Sequence, residues 1–308
     1  VQTCALPISV AACWIVAAGA GSAIVAAFDS RPPGLRAVIA SMGHGCGIVV
    51  RSPAGRCLVY DAGRLGAPGA GRRAMAGVLR AEGVRRIDTL VISHADADHF
   101  NAVPELIEWF SVGEIVVSEA FMHRDSASVG ELLLLARQAR IPVRTVAAGD
   151  SFAVDPLCRV RVLHPQKRVR GLHPHQEDGG HFWGRHADNE TSIVMAVEAA
   201  GRRLLFTGDL EGAALRRFVA ADPDSCDVLV APHHGSITSL PADIAKATEA
   251  DWVLVSGDGG RRWGDVERAY STARGEARPA TVLKTGGTGA IGIDLAASTM
   301  TVAQFSRG

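Results

Sequence analysis

One short segment constrains this chain more than any other. Ser93-His94-Ala95-Asp96-Ala97-Asp98-His99 directly follows the apolar run Thr89-Leu90-Val91-Ile92, which reads as a buried strand. Imidazole nitrogens and carboxylate oxygens are ligands of zinc, manganese and iron, and crowding them in one loop costs charge repulsion unless a cation is bound there. The segment therefore predicts a metal site at the carboxyl end of a strand, and a solvated polar turn is the alternative.

Polar side chains follow three other apolar runs in the same way. Asp61 follows Leu58-Val59-Tyr60, Asp209 follows Leu204-Leu205-Phe206-Thr207-Gly208, and His233-His234-Gly235-Ser236 follows Val228-Leu229-Val230-Ala231-Pro232. Functional residues are often carried by loops that a rigid scaffold positions. The four segments together predict one active site assembled from loops at strand ends.

From Leu35 onward, strand-like and helix-like segments alternate in two passes of similar length. The predicted strands are Ala37–Ala40, Ile48–Arg51, Cys57–Tyr60, Thr89–Ser93, Ile115–Val117, Pro142–Val146, Arg159–Leu163, Ile193–Val197, Arg203–Thr207, Val228–Ala231 and Trp252–Ser256, with three short strands at the end. The predicted helices are Arg72–Ala81, Asn101–Phe110, Gly130–Arg140, Gly212–Ala220, Pro241–Ala250 and Val266–Ala273. Short buried strands need packing partners on both faces, so we expect an α/β fold with two sheets covered by helices on their outer faces.

Composition narrows the class of protein. The 308 residues are 47% hydrophobic, enough for a large core in one or two domains. The 32 basic residues balance the 32 acidic residues, so any contact with nucleic acid must be local. The six cysteines form no Cys-x-x-Cys pair, which argues against a zinc ribbon and against a dense disulfide framework.

The first part of the chain has a different character. Ser9–Phe28 is a stretch of twenty residues without a charge, long enough for a helix to cross a bilayer core of roughly 30 Å. We predict a transmembrane helix over residues 9–28 and a linker at Asp29–Gly34, and a signal peptide or a buried helix is the alternative. The predicted organisation is an N-terminal segment, residues 1–35, followed by one domain, residues 36–308. Because the chain opens with Val1, we expect it to be a fragment of a longer protein.

Four motifs, LVYDAG, SHADADH, FTGDLE and APHHGS, occur in an order and spacing that resemble the metallo-β-lactamase superfamily. More narrowly, they resemble the C-terminal hydrolase domain of ComEC-type competence proteins, the membrane channels for DNA uptake in natural transformation. Over about residues 36 to 305, the resemblance implies a four-layer αββα sandwich. It also implies a channel domain upstream of this chain and a location at the cell membrane.

The resemblance implies a role for each motif residue. His94 and Asp96 hold one divalent ion, Asp98, His99 and His234 hold a second, and Asp209 bridges the two ions, which are zinc or manganese. Asp61 orients the ligand loop. Asp98 and His233 are the implied catalytic residues, and His233 contacts a phosphate or stabilises a leaving group together with the backbone N–H groups of Gly235 and Ser236.

The chain also departs from the superfamily pattern. Asp96 and Asn189 stand where histidines are common, which makes the predicted site rich in oxygen ligands. In Met42-Gly43-His44-Gly45-Cys46, Cys46 replaces an acidic residue, and His44 becomes a candidate on the substrate side. Gly264-Asp265 replaces a histidine-containing segment that is frequent in relatives.

A basic run begins just after the Asp61 loop. It contains Arg64, Arg72, Arg73 and Arg80, which we predict to contact a DNA backbone, and a solvated helix face is the alternative reading.

We therefore expect a two-metal DNA phosphodiesterase, in which two cations bind the scissile phosphate and support in-line attack at phosphorus. A hydrolase of a small phosphodiester or ester is one alternative, and a non-catalytic domain that gates the DNA channel is another. Retention of all six ligands favours catalysis, whereas the acidic residue lost at Cys46 favours gating.

Overall fold

The computed structural model describes residues 34–66, 68–167 and 188–305. Across these ranges, every helix is too short or too polar to cross a membrane. The predicted transmembrane helix, residues 9–28, lies outside the described residues and stays a prediction.

In the described residues, fifteen strands form two sheets. They are β1 (Leu35–Ile39), β2 (Gly47–Arg51), β3 (Cys57–Ala62), β4 (Arg86–Val91), β5 (Ser111–Ser118), β6 (Val143–Val146), β7 (Ser151–Asp155), β8 (Cys158–His164), β9 (Val194–Ala199), β10 (Arg202–Phe206), β11 (Val228–Val230), β12 (Trp252–Val255), β13 (Thr281–Lys284), β14 (Ile291–Leu295) and β15 (Met300–Gln304). One sheet has eight strands in the spatial order β15-β14-β1-β2-β3-β4-β5-β6. The other has seven, in the order β13-β12-β11-β10-β9-β8-β7.

Within the part of the chain that the structure describes, eight helices accompany these strands. They are α1 (Pro68–Ala81), α2 (Ala97–Phe100), α3 (Val103–Trp109), α4 (Glu119–Met122), α5 (Ala127–Gln138), α6 (Gly212–Ala220), α7 (Pro241–Thr248) and α8 (Trp263–Thr272). Two single 3₁₀ turns, Pro232–Gly235 and Ile237–Ser239, lie between β11 and α7.

Three separate apolar clusters define the layers. Tyr60, Val91 and Phe206 belong to the cluster between the two sheets. Met75 and Leu79 of α1 belong to a second cluster on the outer face of the eight-stranded sheet. The third cluster packs α6, α7 and α8 on the outer face of the seven-stranded sheet. The predicted arrangement of two sheets between outer helices is confirmed for the described residues.

Parallel strands place the predicted site at one edge. Strands β3, β4, β5 and β6 are parallel neighbours, and Tyr60 pairs with Val91, so the segments that follow β3 and β4 start side by side. In the other sheet β10, β11 and β12 are parallel, with Phe206 paired to Val230. The four sequence motifs therefore leave their strands toward one end of the sandwich.

Some element boundaries differ from the prediction. The predicted helix Asn101–Phe110 is α3, which is shorter and runs from Val103 to Trp109, and the single turn α2 before it was not predicted. The sequence reading also missed β7, whose exposed and partly buried residues carry little hydrophobic signal because it forms the edge of its sheet.

Candidate metal centre

The six predicted metal ligands lie together at the carboxyl end of the parallel strands. His94 and Asp96 come from the loop after β4, and Asp98 and His99 from the single turn of α2. Asp209 follows β10, and His234 lies in the 3₁₀ turn after β11.

Four of these residues form a tight group, in which the ligand atoms of Asp98, His99, Asp209 and His234 all lie within 4.8 Å of one another. Nε2 of His99 is 3.1 Å from Oδ1 of Asp209. Nε2 of His234 is 3.4 Å from Oδ2 of Asp98 and 3.5 Å from Oδ2 of Asp209. This group contains the ligands that the resemblance assigned to the second ion and to the bridge.

His94 and Asp96 adjoin that group. Nε2 of His94 is 3.8 Å from Oδ2 of Asp96, and the imidazole centroids of His94 and His99 are 4.2 Å apart. His94 is fully buried, whereas the Asp96 side chain is 30% exposed. The pair thus lies next to the four-residue group, on the side where one ligand is open to solvent.

The hydrogen bonds of the three histidines fix which nitrogen faces the site. The Nδ1–H of His99 donates to Asp61, and the Nδ1–H of His234 donates to the backbone carbonyl of Ser256. The hydroxyl of Ser93 donates to Asp61, so the Nδ1–H of His94 donates to that hydroxyl oxygen. In all three rings Nε2 is left to bind an external group.

The surroundings of these Nε2 atoms indicate whether a metal ion fits the site. Within the described part of the chain, Nε2 of His94, His99 and His234 is buried without a hydrogen-bond partner. Orphaned buried nitrogens are costly and rare. Those of His99 and His234 lie against the carboxylates of Asp98 and Asp209, and that of His94 lies near the carboxylate of Asp96. A divalent cation satisfies both groups at once, so the residues present fit a metal centre.

The electrostatics agree with this fit. Burial lowers the pKa of His99, but the charges of Asp209 and Asp61 outweigh it and leave the pKa well above its usual value. Burial raises the pKa of Asp98, yet His234 and His99 lower it to about 2. The same balance of burial against His234 and His99 holds the pKa of Asp209 well below its usual value. Both carboxylates are therefore ionised at neutral pH, the form in which a carboxylate binds a cation.

The backbone at the site is strained. Asp61, His233 and His234 have φ angles of 60°, 50° and 52°, in the left-handed region that non-glycine residues rarely adopt. Gly208, just before Asp209, has a φ of 54°, and a Cβ there would lie 2.9 Å from Cβ of Ser93. The fold keeps these conformations where side chains must converge.

Asp61 lies where the resemblance placed it, behind the ligands. Its carboxylate accepts hydrogen bonds from the backbone N–H and hydroxyl of Ser93, at 2.7 and 2.8 Å, as well as the bond from His99. The side chain is fully buried. Asp61 therefore orients the loop that carries His94 and the ring of His99.

Glu211 is a residue that the sequence reading missed. Its carboxylate accepts from the Nδ1–H of His233 at 2.7 Å and from the Nδ2–H of Asn189 at 2.8 Å. The carboxamide oxygen of Asn189 is buried without a hydrogen-bond partner, and Nε2 of His233 is 3.9 Å from Oδ2 of Asp209. The last letter of the FTGDLE motif was the available signal, and it was overlooked because it stands beyond the strand end.

His44 and Cys46 flank the centre on different sides. Nε2 of His44 is 3.7 Å from Oδ2 of Asp98, and its side chain is 63% exposed, which suits a position on the substrate side. The Cys46 thiol is buried beside Asp61 and His99. Burial and the nearby Asp61 carboxylate raise the pKa of Cys46 well above its usual value, so the thiol is neutral at physiological pH.

A cavity of about 430 Å³ opens beside the predicted ligands and is lined by His44, His233, His234, Gly235, Ser236 and glycine-rich loops. The backbone N–H of Ser236 donates to the carbonyl of His233, so it is not available to a substrate, and the predicted substrate contact of this N–H is corrected.

Asp265, in the segment that departs from the superfamily pattern, lies on α8. Its exposed carboxylate pairs with Arg262.

The four predicted DNA-binding arginines are not equivalent. The guanidinium groups of Arg72 and Arg80 lie 4.9 and 5.3 Å from the ring centroid of Trp109, and Arg72 also pairs with Glu105 at 3.6 Å. Arg73 is exposed on α1. Arg64 lies apart from them, beside the cavity.

The fold and the ligand cluster define a class of protein. The sequence profile of the metallo-beta-lactamase superfamily matches residues 46–257, and the chain belongs to this superfamily, whose members are generally metal-dependent hydrolases. Among characterised proteins, the chain is similar to ComE operon protein 3 of Bacillus subtilis (strain 168), with 24% identity over 194 residues. It is also similar to competence protein ComA of Neisseria gonorrhoeae, with 28% identity over 219 residues.

These matches cover 63% and 70% of this chain but only 23% and 26% of the two relatives, so the chain spans about a quarter of their length. Solved structures share the fold. Zn(2+)-bound PqqB from Methylobacterium extorquens has a TM-score of 0.56 at 18% identity, covering 84% of this chain and 100% of PqqB. A variant of the β-hydroxylase CmlA has a TM-score of 0.52 at 16% identity, covering 84% of this chain and 54% of CmlA.

Proposed function

We propose that this chain is a metal-dependent phosphodiesterase that cleaves DNA during its uptake across the cell membrane. The observation that carries the proposal is that three orphaned imidazole nitrogens, of His94, His99 and His234, lie among the carboxylates of Asp96, Asp98 and Asp209. The similarity to two competence proteins supports DNA as the substrate. Attachment to a membrane through residues 9–28 and to an upstream channel domain belongs to the same proposal.

The ligand set suits two divalent ions. His94 and Asp96 would hold one, Asp98, His99 and His234 the other, and Asp209 both. Bound ions supply Lewis-acid stabilisation of the phosphate charge and a nucleophile at neutral pH. Because three of the six ligands are carboxylates, we expect manganese to support activity at least as well as zinc.

The chain's own residues position the substrate and move protons. His233 stands at the cavity wall, and Glu211 fixes its Nδ1–H so that Nε2 faces Asp209 and the cavity. When the ring also carries a proton on Nε2, as an imidazolium, that N–H can donate to a phosphate oxygen in the cavity or give its proton to the leaving group. His44 lines the same cavity.

A DNA hydrolysis assay tests this proposal. The purified chain is incubated with single-stranded DNA, double-stranded DNA and bis(p-nitrophenyl) phosphate, each with manganese or zinc. DNA cleavage that a chelator abolishes is the expected result. Turnover of the small diester without any DNA cleavage would favour the small-substrate hydrolase, and no turnover of any substrate would favour the gating domain.

A further inference from the structure

Arg64 differs from the other arginines near the site in having a fixed position without an acidic partner. Its backbone N–H donates to Oδ1 of Asn101 at 3.0 Å, and Nδ2 of Asn101 donates back to its carbonyl at 2.8 Å. A Cβ at Gly71 would lie 2.9 Å from Cβ of Arg64, so the start of α1 packs closely on the stem. The backbone and Cβ of Arg64 are therefore held before any ligand binds.

The guanidinium of Arg64 packs on the cavity wall. A Cβ at Gly43 would lie 3.2 Å from Cζ of Arg64, and Gly43, with a φ of 81°, lines the cavity next to His44. Nε of Arg64 is buried without a hydrogen-bond partner, and among the described residues no carboxylate forms an ion pair with its guanidinium. An unpaired, pre-positioned guanidinium beside a cavity is suited to bidentate binding of a phosphate.

Much of the remaining cavity lining is glycine. It contains Gly257, Gly259, Gly260, Gly286 and Gly287, together with Asp258. Nζ of Lys284 donates to the backbone carbonyl of Asp258 at 3.0 Å, which ties this loop to β13. A lining with so few side chains lets a polymer backbone approach closely.

From these contacts we propose that Arg64 binds the phosphate adjacent to the scissile one, and that the glycine-rich lining admits the sugar–phosphate backbone of the strand. The cavity is thus a site for a nucleic-acid strand with at least two phosphates and not for an isolated phosphodiester. This inference rests on the proposed phosphodiesterase activity and specifies which part of a DNA substrate is recognised.

The test compares Arg64→Gln with Arg85→Gln on two substrates. Arg85 precedes β4, at the end of the strand opposite the site, and is exposed, so it is a matched loss of one charge far from the cavity. For a single-stranded oligonucleotide, Arg64→Gln should raise KM about 10- to 100-fold, the usual range for losing a hydrogen bond to a charged group. Its kcat/KM on bis(p-nitrophenyl) phosphate, which has one phosphate, should match that of the wild type. Arg85→Gln should change neither value.

A second variant and a binding measurement complete the test. Arg64→Lys keeps the charge without the planar fork and should give an intermediate KM. Equal losses on both substrates, or no loss on the oligonucleotide, would overturn the inference. If the wild type hydrolyses neither substrate, the proposed activity is wrong, and fluorescence anisotropy of a labelled oligonucleotide still tests Arg64. Equal affinities of the Arg64→Gln and Arg85→Gln variants for the oligonucleotide would then contradict the proposed role of Arg64.

Discussion

Nδ1 of His99 lies 2.8 Å from Oδ2 of Asp61, and both side chains are fully buried. The same carboxylate binds the backbone and hydroxyl of Ser93, so Asp61 joins a metal-ligand ring to the start of the ligand loop. Partners of this kind set ring orientation and increase the basicity of the ligand nitrogen.

Asp61→Asn should therefore weaken metal binding while the six ligands stay in place. Loss of such a partner typically reduces metal affinity about 10- to 100-fold, and titration with manganese or zinc measures it. Asp294→Asn removes an exposed carboxylate from β14 and should bind metal like the wild type. Equal affinities of the two variants would show that Asp61 does not support the site.

Metal binding should release protons and strengthen as pH rises. In the metal-free protein, burial lowers the pKa of His99 and His234, but the charge of Asp209 raises both above the usual value of histidine. These rings are protonated below their raised pKa and must lose a proton to bind a metal. The affinity for metal is thus reduced below the raised pKa of these histidines and recovers above it. Calorimetry in buffers of different ionisation enthalpy counts the protons, and a count of zero near neutral pH contradicts the expectation.

Asp98→Ala should abolish hydrolysis and leave the fold intact. The pKa of Asp98 is lowered to about 2, so the wild-type carboxylate is ionised at any working pH and its loss removes a ligand, not core packing. Circular dichroism should be unchanged while turnover disappears. Asp265→Ala, an exposed carboxylate on α8, is the matched control and should keep full activity. Wild-type turnover by Asp98→Ala would rule out the two-metal mechanism.

The basic face of α1 should bind DNA outside the cavity. Replacing Arg72, Arg73 and Arg80 together with alanine should weaken DNA binding and reduce the log–log salt slope by roughly 0.7 to 0.9 per lost contact. Metal content should not change. Because Arg72 and Arg80 also pack on Trp109, the variant's unfolding curve must be measured beside its affinity. An unchanged salt slope would contradict DNA contacts at these arginines and would favour a small-molecule substrate.

That the motif residues lie together could be predicted, because each motif is encoded locally. Apolar runs lead into the segments of Asp61, His94, Asp209 and His233, and parallel neighbouring strands bring such ends together. Side-chain partners were harder to predict, since they depend on packing between distant segments. Glu211 meets Asn189 across 22 positions, and Arg72 meets Trp109 across the α1–α3 contact, neither of which has a local pattern.

The metal content of the purified chain is the most direct test of the proposed two-metal centre. Protein prepared without chelator should contain two manganese or zinc ions per chain by elemental analysis, or take up two on titration. The ions should be held by His94, Asp96, Asp98, His99, Asp209 and His234. A chain that is metal-free as purified and takes up neither manganese nor zinc on titration would contradict the two-metal centre.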